Sequence, residues 1–196
     1  GGVIRREPDG EEPWKLGLFS CDYGTLFPLE ELVAELRERD PAMLFFAGDQ
    51  FYEWFGGFLF VRTPPWKARL DYLRKWYLFG WTFRDLLKDR PSIIITDDHD
   101  VFQGNIWGQD GRAIPGYDPA TDDRFKVPFP KGGYAMPPDW VNLSQRAQSG
   151  HLPPPYDPTP IEQGIEVVYT GFEYGGVSFA VLEDRKFKTG PASEQA

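Results

Sequence analysis

The sequence has 196 residues, about the size of one domain, which excludes a long repeat array or a large multidomain machine. Hydrophobic residues make up 41% and aromatic residues 16% of the chain, enough to bury a core, so a wholly disordered protein is excluded. The 21 Lys and Arg against 30 Asp and Glu give a net charge of −9. Binding to nucleic-acid phosphates is therefore not expected as the main function, whereas an acidic chain can hold metal cations.

Four further features of the sequence bear on the cellular location and the extent of the protein. The single cysteine, Cys21, excludes an intrachain disulfide framework. No stretch approaches the roughly 20 apolar residues that span a bilayer, so no transmembrane segment is expected. Residues 1–10 lack the basic-then-apolar pattern of a signal peptide. Because the sequence does not begin with methionine, we expect it to be an excerpt or a processed product of a longer protein.

The first elements alternate between strand and helix. Residues 15–19 form a short apolar run that predicts a buried strand. Residues 29–39 carry apolar residues at three- and four-residue steps between Pro28 and Pro41, which predicts a helix. Residues 43–47 are again continuously apolar, and the order strand, helix, strand is typical of a parallel sheet.

The next segments continue this pattern. Residues 66–88 predict one helix, or two joined near Gly80. Residues 92–96 are β-branched and apolar and predict the third strand. The expected apolar side of the helix consists of Leu70, Leu73, Tyr77 and Leu78, followed by Phe83, Leu86 and Leu87.

The second half of the chain changes character. Residues 102–163 are rich in Gly and Pro with little periodicity, which predicts either a functional loop or lid or a tolerated surface insertion. Residues 166–169 and 177–182, separated by a Gly175-Gly176 turn, predict a β-hairpin.

Polar side chains follow each of the three predicted strands. Ligands of open α/β sheets bind outside the carboxyl ends of the strands, because the loops converge there. Each group has a structural alternative: a small buried cysteine, a plain Gly-Asp turn, and an acidic helix start. One metal site, however, accounts for all three groups at once, because such a cluster needs a cation to neutralise it. The residues are Cys21, Asp22, Asp49, Tyr52, Asp97, Asp98, His99 and Asp100.

Four short motifs occur in order along the chain. They are Ser20-Cys21, residues 48–53 (Gly-Asp-Gln-Phe-Tyr-Glu), residues 97–100 (Asp-Asp-His-Asp) with the following Gly104-Asn105, and residues 181–185 (Val-Leu-Glu-Asp-Arg). Together they resemble the motifs of the PhoD-like alkaline phosphatases, which belong to the calcineurin-like metallophosphoesterases.

The resemblance implies a fold and a domain organisation. The expected α/β fold is a sandwich of two mixed β-sheets flanked by helices. It is expected to be truncated at the C-terminus, because the family's downstream Gly-Asp-X-His motif is absent. Residues 1–14 would be a tail or linker from a missing N-terminal module. Residues 15–196 would be the N-terminal part of the metallophosphatase catalytic domain, with the Pro/Gly-rich insertion at about 102–163.

The resemblance also implies a dinuclear centre of iron and calcium. By motif, Asp49 would bridge the two metals, and Cys21 and Tyr52 would bind iron. By motif, either Asp98 or Asp97 beside it would face the second metal.

Three further residues complete the expected site. By motif, His99 would contact the substrate phosphate and protonate the leaving alkoxide, and Asn105 is a further candidate metal ligand. Arg185, at a strand end, is expected either to hold a phosphate oxygen or to form a salt bridge with Asp184 or Glu183.

The function implied is the metal-dependent hydrolysis of small phosphate monoesters and diesters by a metal-activated water, with no nucleic-acid partner. The resemblance also implies export to the periplasm, the cell surface or the medium. One alternative is a phospholipase-like phosphodiesterase, with a pocket formed by the aromatic residues at 51–55, Phe58 and Trp107. Another is a calcium- or sugar-binding domain without catalysis.

Overall fold

A computed structural model describes residues 2–21, 27–55, 61–122 and 126–194. Within these ranges the regular elements, in chain order, are β1 (Leu16–Phe19), α1 (Glu30–Arg39), β2 (Met43–Phe46), α2 (Pro65–Leu87), β3 (Ser92–Ile94), α3 (Pro138–Ser149), β4 (Thr170–Tyr174) and β5 (Val177–Val181).

The first three strands form a parallel sheet in the order β1-β2-β3. Phe45 of the central strand is opposite Leu18 on one side and Ile93 on the other. The predicted alternation of strand and helix is therefore confirmed, as is the α/β class. Because all three strands run in the same direction, the loops that follow them leave the sheet at one edge.

Alternate residues of β2 face two different layers of the protein, as expected for a strand buried on both sides. Phe46 lies on the side of the helices, where its ring centroid is 4.9 Å from Phe19, 5.0 Å from Phe79 and 5.1 Å from Phe83. Met43 packs on the opposite side, in a cluster with Ile93 and Val181.

That opposite layer is a two-stranded antiparallel sheet formed by β4 and β5. Gly175 and Gly176 form the predicted turn, both with positive φ, which a tight hairpin turn favours. The first strand of the hairpin was expected at residues 166–169 and instead begins at Thr170. In the preceding stretch, the Val168 backbone N–H donates to the Glu183 side chain rather than to a strand. The described strands give one parallel and one antiparallel sheet, neither of them mixed.

Helix α2 runs without interruption through Gly80, so of the two predicted alternatives the single helix is correct and the pair of helices is not. The predicted apolar side is wrong for three residues, because Leu70, Leu73 and Tyr77 are exposed. Trp66 and Trp81 extend the same exposed stripe. The side that faces the protein consists of Ala68, Asp71, Tyr72, Lys75, Phe79, Thr82, Phe83 and Leu86.

The Pro/Gly-rich segment was expected to lack regular structure, yet it contains α3. The helix starts at a proline, a residue suited to the first helical position. Trp140 of α3 is fully buried, with its ring centroid 4.7 Å from Phe102 and 5.4 Å from Tyr72 of α2. The segment therefore contributes a packed layer of the core rather than only a loop or lid.

Residues 2–14 contain no regular element but are attached to the rest of the fold. The Trp14 indole donates to the Gly175 carbonyl at 3.0 Å, and the Gly175 N–H donates to the Glu7 side chain at 2.7 Å. Arg5 pairs with Asp40 at 2.7 Å. Among the helices of the described ranges, none has both the length and the apolarity to cross a membrane.

Candidate metal centre

The loops after β1, β2 and β3 meet at the carboxyl edge of the parallel sheet. The Cys21 N–H donates to the Gly48 carbonyl at 3.1 Å, which joins the first two loops. Gly48 has a φ of 101°, and a Cβ built on it would lie 2.4 Å from the Asp97 Cβ. Only glycine allows the second and third loops to approach this closely.

Asp49 lies at the centre of this edge. Its Oδ2 accepts a hydrogen bond from the Cys21 thiol at 3.7 Å, and its Oδ1 accepts one from the His99 N–H at 3.2 Å. The Tyr52 side chain forms hydrogen bonds with both Cys21 and Asp49. The structure thus brings together three residues predicted for the iron site, and the Asp49 carboxylate joins them to the loop after β3.

Asp49 also belongs to a second group, in which one potential ligand atom each from Asp49, Asp98 and His99 lies within 4.8 Å of the others. Both carboxylates are buried. The Asp98 carboxylate also accepts a hydrogen bond from the Asn105 backbone N–H. Buried carboxylates this close together repel one another unless protons or a cation neutralise them.

The electrostatics of the site reflect this crowding. Burial, together with the nearby Asp98 carboxylate, raises the pKa of Asp49 to about 6. Burial and the Asp49 carboxylate also raise the pKa of the Tyr52 phenol. The site therefore combines thiol, phenol and crowded carboxylate groups. These are suitable ligands for a metal ion, whose charge would neutralise the carboxylates.

His99 has a carboxylate partner that the sequence did not single out. Its Nδ1 lies 2.6 Å from Oε2 of Glu53, whose side chain is fully buried. Burial lowers the pKa of His99, but the hydrogen bond and charge of Glu53 outweigh it and the net shift is upward. Glu53 directly follows Tyr52 at the end of the second motif, and that position was the only available signal.

The ring of His99 is also enclosed by two aromatic side chains. Its centroid lies 4.1 Å from the Tyr52 ring and 5.3 Å from the Trp54 ring. These contacts and Glu53 fix the orientation of the imidazole.

Arg185 and Asp97 form a pair at the border of the site. The guanidinium Nε lies 2.8 Å from Asp97 Oδ1, and Nη2 donates to Oδ2 at 3.2 Å. The salt-bridge partners expected for Arg185 were wrong, because Asp184 pairs with Lys188 and Glu183 pairs with Lys186. Asp97 is the partner because its loop lies beside the end of β5. It is held by Arg185 and stands outside the Asp49, Asp98 and His99 group.

The remaining predicted residues take different places. Asn105 is exposed, and its recorded contact with the site is through its backbone. His151, the other histidine of the sequence, is exposed, and its Nε2 lies 2.9 Å from the Ser92 carbonyl oxygen. Asp22, and Phe58 of the proposed aromatic pocket, lie outside the described residues.

The backbone at this edge is strained. Cys21, Asp49 and Asn105 have φ values of 59°, 55° and 66°, in the left-handed region that non-glycine residues seldom occupy. Such strain concentrates at functional sites, where the surrounding structure maintains it.

Comparisons with known proteins agree with this architecture. A solved chain described as "Structure of PhoD" has a similar fold, with a TM-score of 0.56 and 17% sequence identity. The match covers 92% of this chain and 33% of that chain, so this chain spans about a third of the length of the PhoD chain. No protein-family model and no curated protein sequence matches the chain. At 17% identity the likeness shows the fold alone, and the chain therefore has a PhoD-like fold.

Proposed function

We propose that this chain carries the metal site of a phosphatase that hydrolyses small phosphate monoesters and diesters. One observation carries the proposal: the Asp49 carboxylate accepts a hydrogen bond from Cys21, bonds to Tyr52, and has potential ligand atoms of Asp98 and His99 within 4.8 Å. A carboxylate shared among ligand-type residues of several loops is what a centre of two metals requires. The PhoD-like fold is consistent with this activity.

The donor set divides into two groups around Asp49. Cys21 and Tyr52 would hold iron, because thiolate and phenolate supply the negative charge that a trivalent cation favours. Asp98 would hold calcium, for which carboxylate oxygen is a preferred ligand. Asp97 and Asn105 remain predicted ligands of this second ion. When bound, the metals would activate a water molecule and neutralise charge on the phosphate.

His99 would deliver a proton to the leaving oxygen of the substrate. Glu53 occupies its Nδ1, which leaves Nε2 to face a substrate, and raises the pKa of the ring so that it retains a proton nearer neutral pH. Arg185 uses Nε and Nη2 to contact Asp97, so Nη1 would bind a phosphate oxygen while the residue also holds the Asp97 loop.

The extent and location of the protein follow from the same proposal. Residues 15–196 would form part of the catalytic domain, with residues 1–14 as a tail. Export of the whole protein stays a prediction.

The first test is metal-dependent hydrolysis of p-nitrophenyl phosphate and bis-p-nitrophenyl phosphate. We expect Asp49→Asn to lower activity with both esters by about 100-fold or more, because the shared ligand loses its charge. Asp157→Asn, on an exposed loop, serves as the matched control and should keep full activity. Full activity of Asp49→Asn would refute the site assignment, and activity on the diester alone would favour the phosphodiesterase alternative.

The second test concerns the metal itself. Iron bound by Tyr52 is expected to give a visible absorption band that is lost in Tyr52→Phe. A colourless protein that binds only calcium would contradict the iron assignment and favour the non-catalytic alternative.

A further inference from the structure

The loops that carry the candidate ligands converge on a single buried carboxylate. Asp100 is fully buried, and its Oδ2 accepts the backbone N–H groups of Asp49 at 2.6 Å and Asp97 at 2.9 Å. Its Oδ1 accepts the Gln50 N–H at 3.0 Å. One side chain thus ties the loop after β2 to the loop after β3.

Helix α3 holds this carboxylate from the opposite side. Gln148, which is fully buried, donates from Nε2 to Asp100 Oδ1 at 3.2 Å. Its Oε1 accepts a hydrogen bond from the Gln50 side chain at 3.1 Å. Gln148 therefore bonds to both members of the Asp100 and Gln50 pair.

Two serines of α3 fasten the helix to the same region. Ser144 Oγ donates to the Asp100 carbonyl at 2.8 Å, and Ser149 Oγ donates to the Ile94 carbonyl at the end of β3 at 2.9 Å. The inward side of α3 thus presents hydrogen-bonding groups to the loops at a point where a helix of this kind ordinarily presents apolar ones.

We propose that Asp100 and Gln148 are positioning residues of the metal centre, and that α3 sets the metal affinity through them. The inference rests on the proposed function for the identity of the ligands. Its physical basis is that Asp49 and Asp98 bind one cation only if their two loops keep a fixed separation. The Asp100 and Gln148 bonds determine that separation, and partners behind metal ligands commonly change metal affinity 10- to 100-fold.

The test compares two glutamines of the same helix. Gln145 and Gln148 are both almost completely buried, but Gln145 bonds to Asn142 and to the Glu166 carbonyl, and to neither loop within the described residues. Co²⁺ alone is the probe, because its visible absorption reports both binding and coordination geometry. We expect Gln148→Met to weaken Co²⁺ binding about 10-fold or more and to alter the spectrum. Gln145→Met should stay within about twofold of the wild type.

Thermal unfolding of each variant without metal accompanies the titrations. If Gln148→Met does not fold, Gln148→Asn, which keeps the amide but shortens its reach, is titrated in its place with the same expectation. Wild-type affinity and spectrum in a folded Gln148 variant would overturn the inference, as would equal weakening by Gln145→Met. A wild-type protein that binds no Co²⁺ would overturn the proposed function and this inference with it, so the two failures are distinguishable.

Discussion

Glu53 favours the protonated form of His99, because its carboxylate is fully buried and lies 2.6 Å from Nδ1 of the imidazole. A charge-assisted hydrogen bond at 2.6 Å in a region of low polarity favours the protonated ring. Burial alone acts in the opposite direction and lowers the pKa. Glu53 is the first of the carboxylates that oppose this effect, followed by Asp49 and Asp98, and together they raise the pKa of His99 above its ordinary value of 6.5.

We accordingly expect Glu53→Gln to lower the pKa of His99 in the metal-free protein by about one unit or more. Proton NMR titration can measure it directly, since the chain has only two histidines and His151→Gln assigns the signals. His151 bonds to a backbone carbonyl far from Glu53 in sequence and is the internal control. An unchanged His99 pKa would show that Glu53 does not govern its protonation.

Residue types and spacing predicted much of this site, and the reason is the parallel sheet. Once three consecutive strands run in the same direction, the residues that follow them must meet at one edge, as Cys21, Asp49 and Asp98 do. Spacing could not separate Asp97 from Asp98, because neighbouring side chains point in different directions that depend on the backbone of the turn. The role of Arg185 was open for a similar reason, since its partner comes from a distant loop.

Helix α2 contains an ion pair in its inward face. Lys75 Nζ lies 2.5 Å from Asp71 Oδ2, and both side chains are essentially inaccessible to solvent. Lys75 also donates to the backbone carbonyl of Glu53, which links the helix to the loop that carries Tyr52. Burial lowers the pKa of Lys75, and the carboxylate of Asp71 opposes that effect.

Removing one member of this buried ion pair should destabilise the folded protein. Lys75→Met would leave the buried Asp71 carboxylate without its lysine, and we expect the free energy of unfolding to fall by about 3–5 kcal/mol. Lys88→Met, which breaks the exposed pair with Asp85 next to the same helix, should cost less than about 1 kcal/mol. Urea unfolding measures both. The double variant Asp71→Leu/Lys75→Met should recover part of the loss, and a single variant as stable as the control would contradict the expectation.

The same polar inward faces explain where prediction of the elements failed. In α2, Leu70 and Tyr77 recur at helical spacing just as Phe79 and Phe83 do, so periodicity shows two apolar faces and cannot choose between them. In α3, the inward positions include Gln145 and Gln148. Their polarity conceals the helical period, and only the tertiary hydrogen bonds explain why they are buried.

At the scale of the whole molecule, the acidic residues behind the net charge of −9 include two groups whose pKa values shift in opposite directions. Exposed acids such as Asp40 and Asp184 are paired with basic residues, which hold their pKa values below the ordinary range. The acids at the sheet edge behave oppositely: burial raises the pKa of Asp49, Asp97 and Asp100. Folding without a metal therefore concentrates acids where they are least stable as anions.

This arrangement predicts how stability depends on pH. Asp49 titrates near 3.8 when unfolded and at about 6 when folded, so the folded state binds the proton more tightly. The stabilising contribution of Asp49 is fully present below pH 3.8 and is lost as the pH rises to about 6. The pKa of His99 is also raised from 6.5, so its effect on stability has the same sign. Its stabilising contribution is complete below pH 6.5 and is lost as the pH rises through the pKa of the folded state. The metal-free protein should therefore lose stability as the pH rises from 3.8 to about 6, through Asp49, and again as it rises above 6.5, through His99.

A bound cation should reverse this trend, because it binds deprotonated ligands and stabilises only the folded state. We expect the Tm of the metal-free protein to fall by several degrees from about pH 5 to about pH 8, and saturating Co²⁺ to raise it most at the higher pH. Asp49→Asn, which imitates the protonated side chain, should remove the part of the first dependence that lies below about pH 6, leave the part due to His99, and remove most of the second. A metal-free wild-type protein whose Tm rises over this interval, or an Asp49→Asn variant that Co²⁺ stabilises as strongly as the wild type, would contradict a cation site centred on Asp49.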